Sequence, residues 1–402
     1  MNIRYLVQPA QQVGRILEAL LSDEPRPAEV ILVSAFASRQ TLLRLRPAIL
    51  RLRDAGTRVR LVLGIDLGGT SKEALQEAHS WAVDTRLVKH RQAGHTFHPK
   101  LYLVERLGQA NLLIGSSNIT DGGFFTNYEG GVLFTYDLPG DAANYAEARA
   151  SLERFLAPDG PTAQILSEEL LARLLVRGDV PTNEEQRRAR TGEGRRSPGA
   201  GSPFGVEAVA TPPPMPADVL DGLLDEVRSV RRRRLRTEGR TQAVVRTAVA
   251  QIEPMSLFMT LPKMRGSIPG EARIPLEARD LTPGFWGWPG KYGHEKGPRG
   301  GEREYWSWKP KWRLWDSDNP DEVFVDEVRM YEYTNSSDFR FYARRLLNLG
   351  ADEGDVVRVT RVVELDVEFE CALARRNSRA YDDWLRYCTR RVRNSDRRYG
   401  YA

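Results

Sequence analysis

The chain has 402 residues, a formal net charge of +5 and 28% charged residues of both signs, a composition typical of a soluble protein with more than one domain. No apolar run approaches the roughly 18 residues that cross a bilayer, and the first ten residues lack the pattern of a signal peptide. We therefore expect a cytoplasmic protein. Cys371 and Cys388 form no CxxC pair, which argues against a disulfide framework and against a thiolate zinc site.

Residues 1–178 predict an α/β domain. VILVSAF (30–36) and VRLVLGID (59–66) are short, β-branched apolar runs, and a helix-compatible stretch follows each of them. Further strands are predicted at 85–90, 100–105, 110–115 and 129–136, and helices at 145–157 and 163–176. This order predicts a mixed sheet sandwiched by helices, because the strands carry apolar residues for both faces.

The rest of the chain divides by composition. Residues 179–216 are rich in Pro, Gly, Ser and charged side chains, which predicts a flexible linker. A helical connector is predicted at 217–242. Residues 243–402 alternate strand-like runs with Gly- and Pro-rich turns and hold six Trp between 285 and 315, which predicts a β-rich domain. The Trp residues suit either a packed core or a binding surface.

Positive charge is concentrated in two runs. RRRRLR occupies residues 231–236, and the segment from Arg386 to Arg398 holds six Arg against one Asp. A polyanion could neutralise either run, and a solvated surface is the alternative explanation for both.

Polar side chains cluster among three predicted strands between residues 94 and 134. The candidate site residues are His98, Lys100, Ser116, Ser117, Asn118 and Glu129. An imidazole can attack phosphorus directly while a lysine, an amide and serine hydroxyls hold the non-bridging oxygens and a carboxylate orients the ring. The cluster therefore predicts phosphodiester chemistry without a metal or a cofactor.

HPKLYLV, GSSNIT and NYE occur in this order and resemble the HxK…N…E/D signature of the phospholipase D superfamily. The resemblance implies a phospholipase D-like fold in which His98 is the nucleophile or the acid. It further implies that Lys100 and Asn118 bind phosphate, with Ser116 as an additional donor, and the small-residue turn itself predicts that the Ser117 hydroxyl donates to the same anion.

The HxKxxxxD form typical of the superfamily is absent, since Glu105 and Arg106 occupy that region. In this respect the chain resembles the restriction-endonuclease branch of the superfamily, in which the acidic residue comes after the Asn, as Glu129 comes after Asn118 here. The signature occurs once, and single-copy members resemble nucleases that pair two chains. We therefore expect a homodimer in which His98 of one copy attacks and His98 of the other protonates the leaving group.

The order nuclease, linker, β-rich domain resembles the NgoFVII/BfiI-type restriction endonucleases, whose C-terminal domain is a plant B-three-like DNA-binding pseudobarrel. The segments that carry this resemblance are FMTLPKMRGSIP (258–269), ARIPLEARDLTPGFWGWP (272–289) and LGADEGDVVRV (349–359). Basic side chains beside the Trp-rich window are expected to follow a phosphate backbone. They are Lys291, Lys296, Arg299, Arg303, Lys309, Lys311 and Arg313.

The leading hypothesis is a DNA endonuclease of a restriction or other defence system, to which a helicase, a methyltransferase or another partner would belong. A phospholipid phosphodiesterase or phosphatidyltransferase is an alternative, and an inactive DNA-binding protein is another. His95 and His98 form an HxxH, but no Asp or Cys stands at a supporting spacing, so we expect no metal site.

Overall fold

The computed structural model describes residues 1–90, 95–183, 185–186, 211–225, 256–264, 268–296, 304–333, 338–362, 367–393 and 395–402. They divide into a first unit, within Met1–Gly192 and Glu207–Pro212, and a second unit, within Pro213–Ala402. The greater part of the predicted linker, the basic run at 231–236, Arg299 and Arg303 lie outside the described residues. The domain boundaries stay predictions.

Eight strands of the described first unit form one mixed sheet in the order β1-β7-β6-β5-β2-β3-β4-β8. The pairs β2 with β3 and β3 with β4 are parallel, and the other neighbours are antiparallel. The strands are β1 (Asn2–Gln8), β2 (Glu29–Ser34), β3 (Arg58–Gly64), β4 (Asp84–Val88), β5 (Lys100–Arg106), β6 (Gln109–Gly115), β7 (Glu129–Asp137) and β8 (Ala163–Ile165).

Helices cover both faces of this sheet. They are α1 (Val13–Ser22), α2 (Arg39–Asp54), α3 (Lys72–Ser80), α4 (Ala142–Leu156) and α5 (Glu168–Arg177). Alternate β2 residues enter different cores, since Val30 and Leu32 pack with α1, α2, α3 and α5 whereas Ile31 and Val33 pack with α4. The predicted α/β class, with a mixed sheet between helices, is confirmed.

Serine side chains mark where three of the helices begin. Ser38, Ser71 and Ser167 accept hydrogen bonds from the backbone N–H groups of Thr41, Ala74 and Leu170, at 3.3, 3.2 and 3.1 Å. Each bond satisfies a donor that the first turn of a helix leaves without an intrahelical acceptor.

The structure corrects the sequence analysis in two places. No element was expected before residue 30, yet β1 and α1 lie there. The helix predicted at 163–176 begins only at Glu168, because residues 163–165 form β8 and pair antiparallel with β4. This pairing supplies partners for backbone groups that β4 would otherwise leave open at the edge of the sheet.

The described second unit contains a five-stranded sheet, β10-β16-β15-β12-β11, and a seven-stranded sheet, β14-β13-β18-β17-β9-β20-β19. The first six strands are β9 (Ser256–Thr260), β10 (Glu271–Ile274), β11 (Gly293–Lys296), β12 (Glu304–Trp308), β13 (Lys311–Asp316) and β14 (Asn319–Glu327). The others are β15 (Arg329–Tyr333), β16 (Asp338–Tyr342), β17 (Val356–Arg361), β18 (Phe369–Ala374), β19 (Arg390–Arg391) and β20 (Arg398–Tyr401).

Short helices accompany these sheets. They are α6 (Leu276–Leu281), α7 (Arg344–Asn348) and α8 (Tyr381–Leu385), and residues 217–225 are helical as well. Trp286, Trp312 and Phe369 are fully buried, and the Phe369 ring centroid lies 5.8 Å from that of Trp286 and 4.9 Å from that of Trp312. The packed-core explanation therefore holds for these two Trp residues. The second unit is β-rich as expected, and its pseudobarrel form stays a prediction.

None of the helices in the described residues is long and apolar enough to span a membrane.

A buried ion pair joins α2 to α3. Arg46 donates Nε and Nη2 to the two carboxylate oxygens of Glu77 at 2.7 and 2.6 Å, and Trp81 donates its indole N–H to the same carboxylate at 3.0 Å. The Glu77 side chain is only 2% exposed, so its charge depends on these donors.

Removing Arg46 is expected to destabilise the first unit. Arg46→Ala leaves the Glu77 carboxylate buried without its cation and should lower the free energy of unfolding by about 3 kcal/mol. Hydrogen exchange of the β2 amides in the full chain measures this loss. The control is Arg177→Ala, which removes a surface ion pair with Asp179 and should cost less than about 1 kcal/mol. Equal losses in the two variants would contradict the prediction.

Candidate active site

The register of the sheet brings four strand ends together. Strand β2 ends at Ser34, directly opposite Lys100 at the start of β5. Strand β6 ends at Gly115, opposite Gly131 near the start of β7. Because β5 and β7 run opposite to β2 and β6, the loops that carry the predicted site residues emerge at one edge of the sheet.

His98 and Lys100 are in direct contact. The Lys100 ammonium lies 2.7 Å from His98 Nδ1 and 3.1 Å from Nε2, and it donates to the His98 carbonyl at 2.8 Å. Lys100 is 5% exposed, whereas His98 is exposed and lies in the segment just before β5. The Phe36 ring meets the imidazole edge-on, with centroids 5.6 Å apart. The pair thus presents an imidazole to solvent above a buried cation.

Asp66 fixes the backbone next to His98. Its carboxylate accepts a hydrogen bond from the Phe97 N–H at 2.9 Å, and Asp66 itself is 7% exposed. The Phe97 ring packs against Phe155 at 6.1 Å between centroids. Asp66 was not among the predicted site residues, although its place at the end of the predicted strand run 59–66 is a signal that could have identified it.

The side-chain amide of Asn118 is held through its oxygen. Asn118 Oδ1 accepts the Phe36 N–H at 3.1 Å and lies 3.4 Å from Ser34 Oγ. Ser34 Oγ in turn accepts the Ile119 N–H at 2.9 Å and donates to the Phe36 carbonyl at 2.6 Å. These contacts fix which end of the amide is oxygen. Nδ2 has no acceptor among the described residues, so it remains a donor for a ligand.

Glu129 contacts neighbours other than the imidazole. Ser116 Oγ donates to one carboxylate oxygen, and Asn127 Nδ2 donates to the other at 3.2 Å. In the described part of the chain no hydrogen bond joins Glu129 to His98, so the expected orientation of the ring by this carboxylate is not seen within one copy. Ser116 is exposed, but its hydroxyl is engaged with Glu129.

Ser117 differs from its neighbour. It is 1% exposed, and its carbonyl accepts a hydrogen bond from the Tyr102 hydroxyl at 2.6 Å. The structure therefore places Ser117 beneath the turn, where a phosphate outside the sheet does not reach its hydroxyl. In this turn Ser116 is exposed and Asn118 is half-buried.

Gln8 supports the loop that carries Asn127. Its side-chain N–H₂ group donates to the carbonyls of Gly122 and Asn127, each at 3.0 Å, and its oxygen accepts the Val13 N–H at 3.2 Å. Gln8 is 1% exposed and stands opposite Glu129 in the β1–β7 register. No sequence signal identified this residue, because Gly122 and Asn127, the partners that tie it to the site, lie more than a hundred positions away along the chain.

Burial and charge set the protonation of the contact pair. Partial desolvation lowers the pKa of His98 below its usual 6.5, and the Lys100 cation lowers it further. Desolvation also lowers the pKa of Lys100, while the Glu129 carboxylate opposes that change. The lowered pKa favours the neutral form of the imidazole near pH 7.

The basic side chains predicted to contact DNA belong to the second unit. Lys291, Lys309 and Lys311 are exposed, whereas Arg313 forms an ion pair with Glu370. Lys296 ends β11. Arg299 and Arg303 are outside the described residues.

Within the ranges that the structure describes, no three His, Cys, Asp or Glu side chains are grouped to hold a metal ion. The rings of His90 and His95 stack at 4.8 Å between centroids. His95 therefore contacts His90, although the sequence pattern had coupled it with His98.

Several solved structures are similar to part of this chain. Nuc from Salmonella typhimurium, described as a phospholipase D family member, is 16% identical over 38% of this chain and 95% of its own, with a TM-score of 0.29. NucT from Helicobacter pylori is 15% identical over 41% of this chain and 99% of its own, with a TM-score of 0.30. Phosphatidylserine synthase from Haemophilus influenzae is 15% identical over 44% of this chain and 46% of its own, with a TM-score of 0.29. No family model and no curated protein matches the chain.

The depressed pKa of His98 can be measured directly. In a proton NMR titration of the full chain, the His98 ring should titrate below 6.5, and its signal is assigned by its loss in His98→Ala. Lys100→Met should raise this pKa without restoring 6.5, because desolvation is the larger cause. Lys72→Met, which removes a lysine of α3, is the matched control and should leave it unchanged. A His98 pKa at or above 6.5 in the unsubstituted chain would contradict the site described above.

Proposed function

We propose that the chain is a metal-independent phosphodiesterase that cuts DNA through a covalent phosphohistidine intermediate, as part of a restriction or other defence system. The observation that carries this proposal is the contact between the buried Lys100 ammonium and the imidazole of His98. A neutral imidazole beside a fixed cation suits attack on a phosphate, whose negative charge the cation offsets as the reaction proceeds.

The first step forms one bond and breaks another. A ring nitrogen of His98 attacks phosphorus to form a P–N bond, and the P–O bond to the leaving alkoxide breaks. Lys100 Nζ and Asn118 Nδ2 donate to the non-bridging oxygens, where they stabilise the charge that develops. Water then attacks phosphorus, the P–N bond breaks, and His98 is regenerated with a phosphate end on the DNA.

The leaving alkoxide needs a proton, and the candidate site of one copy offers one imidazole. His98 of a second copy fills this role in a homodimer with a shared site, where the negative charge of the bound phosphate raises the pKa of that imidazole and favours its protonated form. After the first step this histidine is neutral and removes a proton from the attacking water. The order of the motifs at His98, Asn118 and Glu129, which resembles the single-copy phospholipase D signature, supports the same arrangement.

DNA recognition belongs, in this proposal, to the second unit, with a B-three-like pseudobarrel as its form. The exposed Lys291, Lys309 and Lys311 support contacts to phosphates. Lys296, Arg299, Arg303 and Arg313 complete the candidate DNA contacts.

Cleavage is expected to proceed without divalent metal. The purified chain should cut plasmid or single-stranded DNA equally well with and without EDTA, and His98→Ala should abolish cutting while the affinity for DNA is kept. His79→Ala, which changes a histidine of α3, is the matched control and should cut normally. Strict dependence on magnesium would overturn the mechanism, and full activity of His98→Ala would overturn the assignment of the nucleophile.

If two copies share one site, a single inactive copy inactivates the whole dimer. When unfolded chains of the active protein and of His98→Ala are mixed in equal amounts and refolded together, random pairing leaves about one quarter of the dimers with two histidines. Cleavage should therefore fall to about one quarter, whereas independent sites would retain about one half. The same mixture made with His79→Ala should keep full activity. Retention of one half would refute the shared site and leave phosphohistidine chemistry open.

A further inference from the structure

The last two strands of the chain form a hairpin rich in arginine. Strands β19 and β20 pair antiparallel, and β20 joins the seven-stranded sheet through β9, which leaves β19 at the edge. We call residues 390–393 and 395–401 the arginine hairpin. Of its arginines, Arg391, Arg393 and Arg398 are exposed, Arg397 is half-buried, and Arg390 is paired with Asp221.

The exposed arginines of the hairpin have little compensating negative charge. Arg393 and Arg398 form no ion pair with any residue that the structure describes. Arg391 lies 3.9 Å from Asp396, and both side chains are strongly exposed, so solvent and salt screen this pair. Elsewhere in the second unit, Arg279, Arg340 and Arg345 each have a carboxylate partner within ion-pairing distance.

The strand register places like charges together. Arg391 and Arg398 stand directly opposite each other in the β19–β20 ladder, and like charges in such cross-strand positions are destabilising. An anion bound between the two guanidinium groups would remove this repulsion. The register therefore favours an anionic ligand on this part of the surface.

Arg397, directly before β20, adds a further positive charge to the hairpin. Arg397 donates Nε to the Thr260 carbonyl at 3.2 Å and Nη2 to the Arg273 carbonyl at 2.6 Å. Both acceptors are neutral, and the remaining N–H groups of the guanidinium have no carboxylate among the described residues. Burial and the neighbouring Arg273 lower the pKa of Arg397 to about 10, and it stays charged at neutral pH.

From these contacts we infer that the arginine hairpin binds the phosphodiester backbone of duplex DNA, with Arg391, Arg393, Arg397 and Arg398 on successive phosphates. This inference rests on the proposed function, because it takes DNA as the substrate. It adds a second surface for the DNA backbone, separate from the candidate contacts around the Trp-rich window. Duplex DNA fits because its phosphates form a continuous line of negative charge. Contacts of this kind position the protein without reading bases.

The salt dependence of binding tests this inference. DNA affinity is measured for the full chain carrying His98→Ala, so that cutting does not consume the duplex, over a series of salt concentrations. Each phosphate contact contributes about 0.9 to the slope of log K against log salt concentration. Arg393→Gln with Arg398→Gln should make the slope shallower by about 2 and should weaken unrelated DNA sequences equally.

Two control variants separate charge at the hairpin from net charge and from structure. Arg58→Gln with Arg177→Gln removes the same charge from exposed, ion-paired arginines outside the basic run at 386–398 and should leave the slope unchanged. Arg393→Lys with Arg398→Lys keeps the charge and should keep most of the slope. Equal slopes for the hairpin Gln variant and its control would overturn the inference. DNA cleavage by the unsubstituted chain is scored separately, so a protein that binds through the hairpin but never cuts would refute the proposed function alone.

Discussion

The candidate site is organised around a buried cation. Lys100 is 5% exposed, and within the described residues its ammonium contacts the His98 ring and carbonyl without forming an ion pair. Burying a charge in this way is costly unless strong partners compensate it. A phosphate bound against Lys100 would supply the missing negative charge, and the neutral imidazole beside it would then face phosphorus. The same burial that destabilises the empty site therefore strengthens the attraction between Lys100 and a bound anion.

Rigid elements hold the groups that surround this cation. Asn118 is fixed by the Phe36 N–H, and the turn below it is so tight that a Cβ on Gly123 would lie 2.4 Å from the Asn118 carbonyl oxygen. Gln8 and Asp66 then fix the two flanking loops from beneath. Because these supports are buried and hydrogen-bonded, the donors need little reorganisation when charge develops.

Sequence patterns predicted most of the strands around the site because those strands are apolar on both faces and are bounded by turns. Sequence patterns did not predict β1, because its apolar and polar residues do not follow the usual rule of apolar inside and polar outside. Ile3, Tyr5 and Val7 are 45%, 74% and 65% exposed, while the polar Gln8 is buried. The support from Gln8 was also invisible, since it depends on contacts between distant parts of the chain. The order of the motifs predicted that Glu129 orients the imidazole. In the structure, the Glu129 carboxylate accepts hydrogen bonds from Ser116 and Asn127 instead.

The positive charges of the chain act in two different surroundings. Lys100 lies in a largely desolvated place, where salt screens its field weakly and a single phosphate feels it strongly. The arginines of the hairpin stand in water, where each interaction is weak and many phosphates are needed for affinity. Exposed arginines thus suit capture of any DNA sequence, and the buried lysine suits chemistry at one phosphate. Under the proposed function, this division of charge would let the strength of DNA binding change without altering the groups proposed for the reaction.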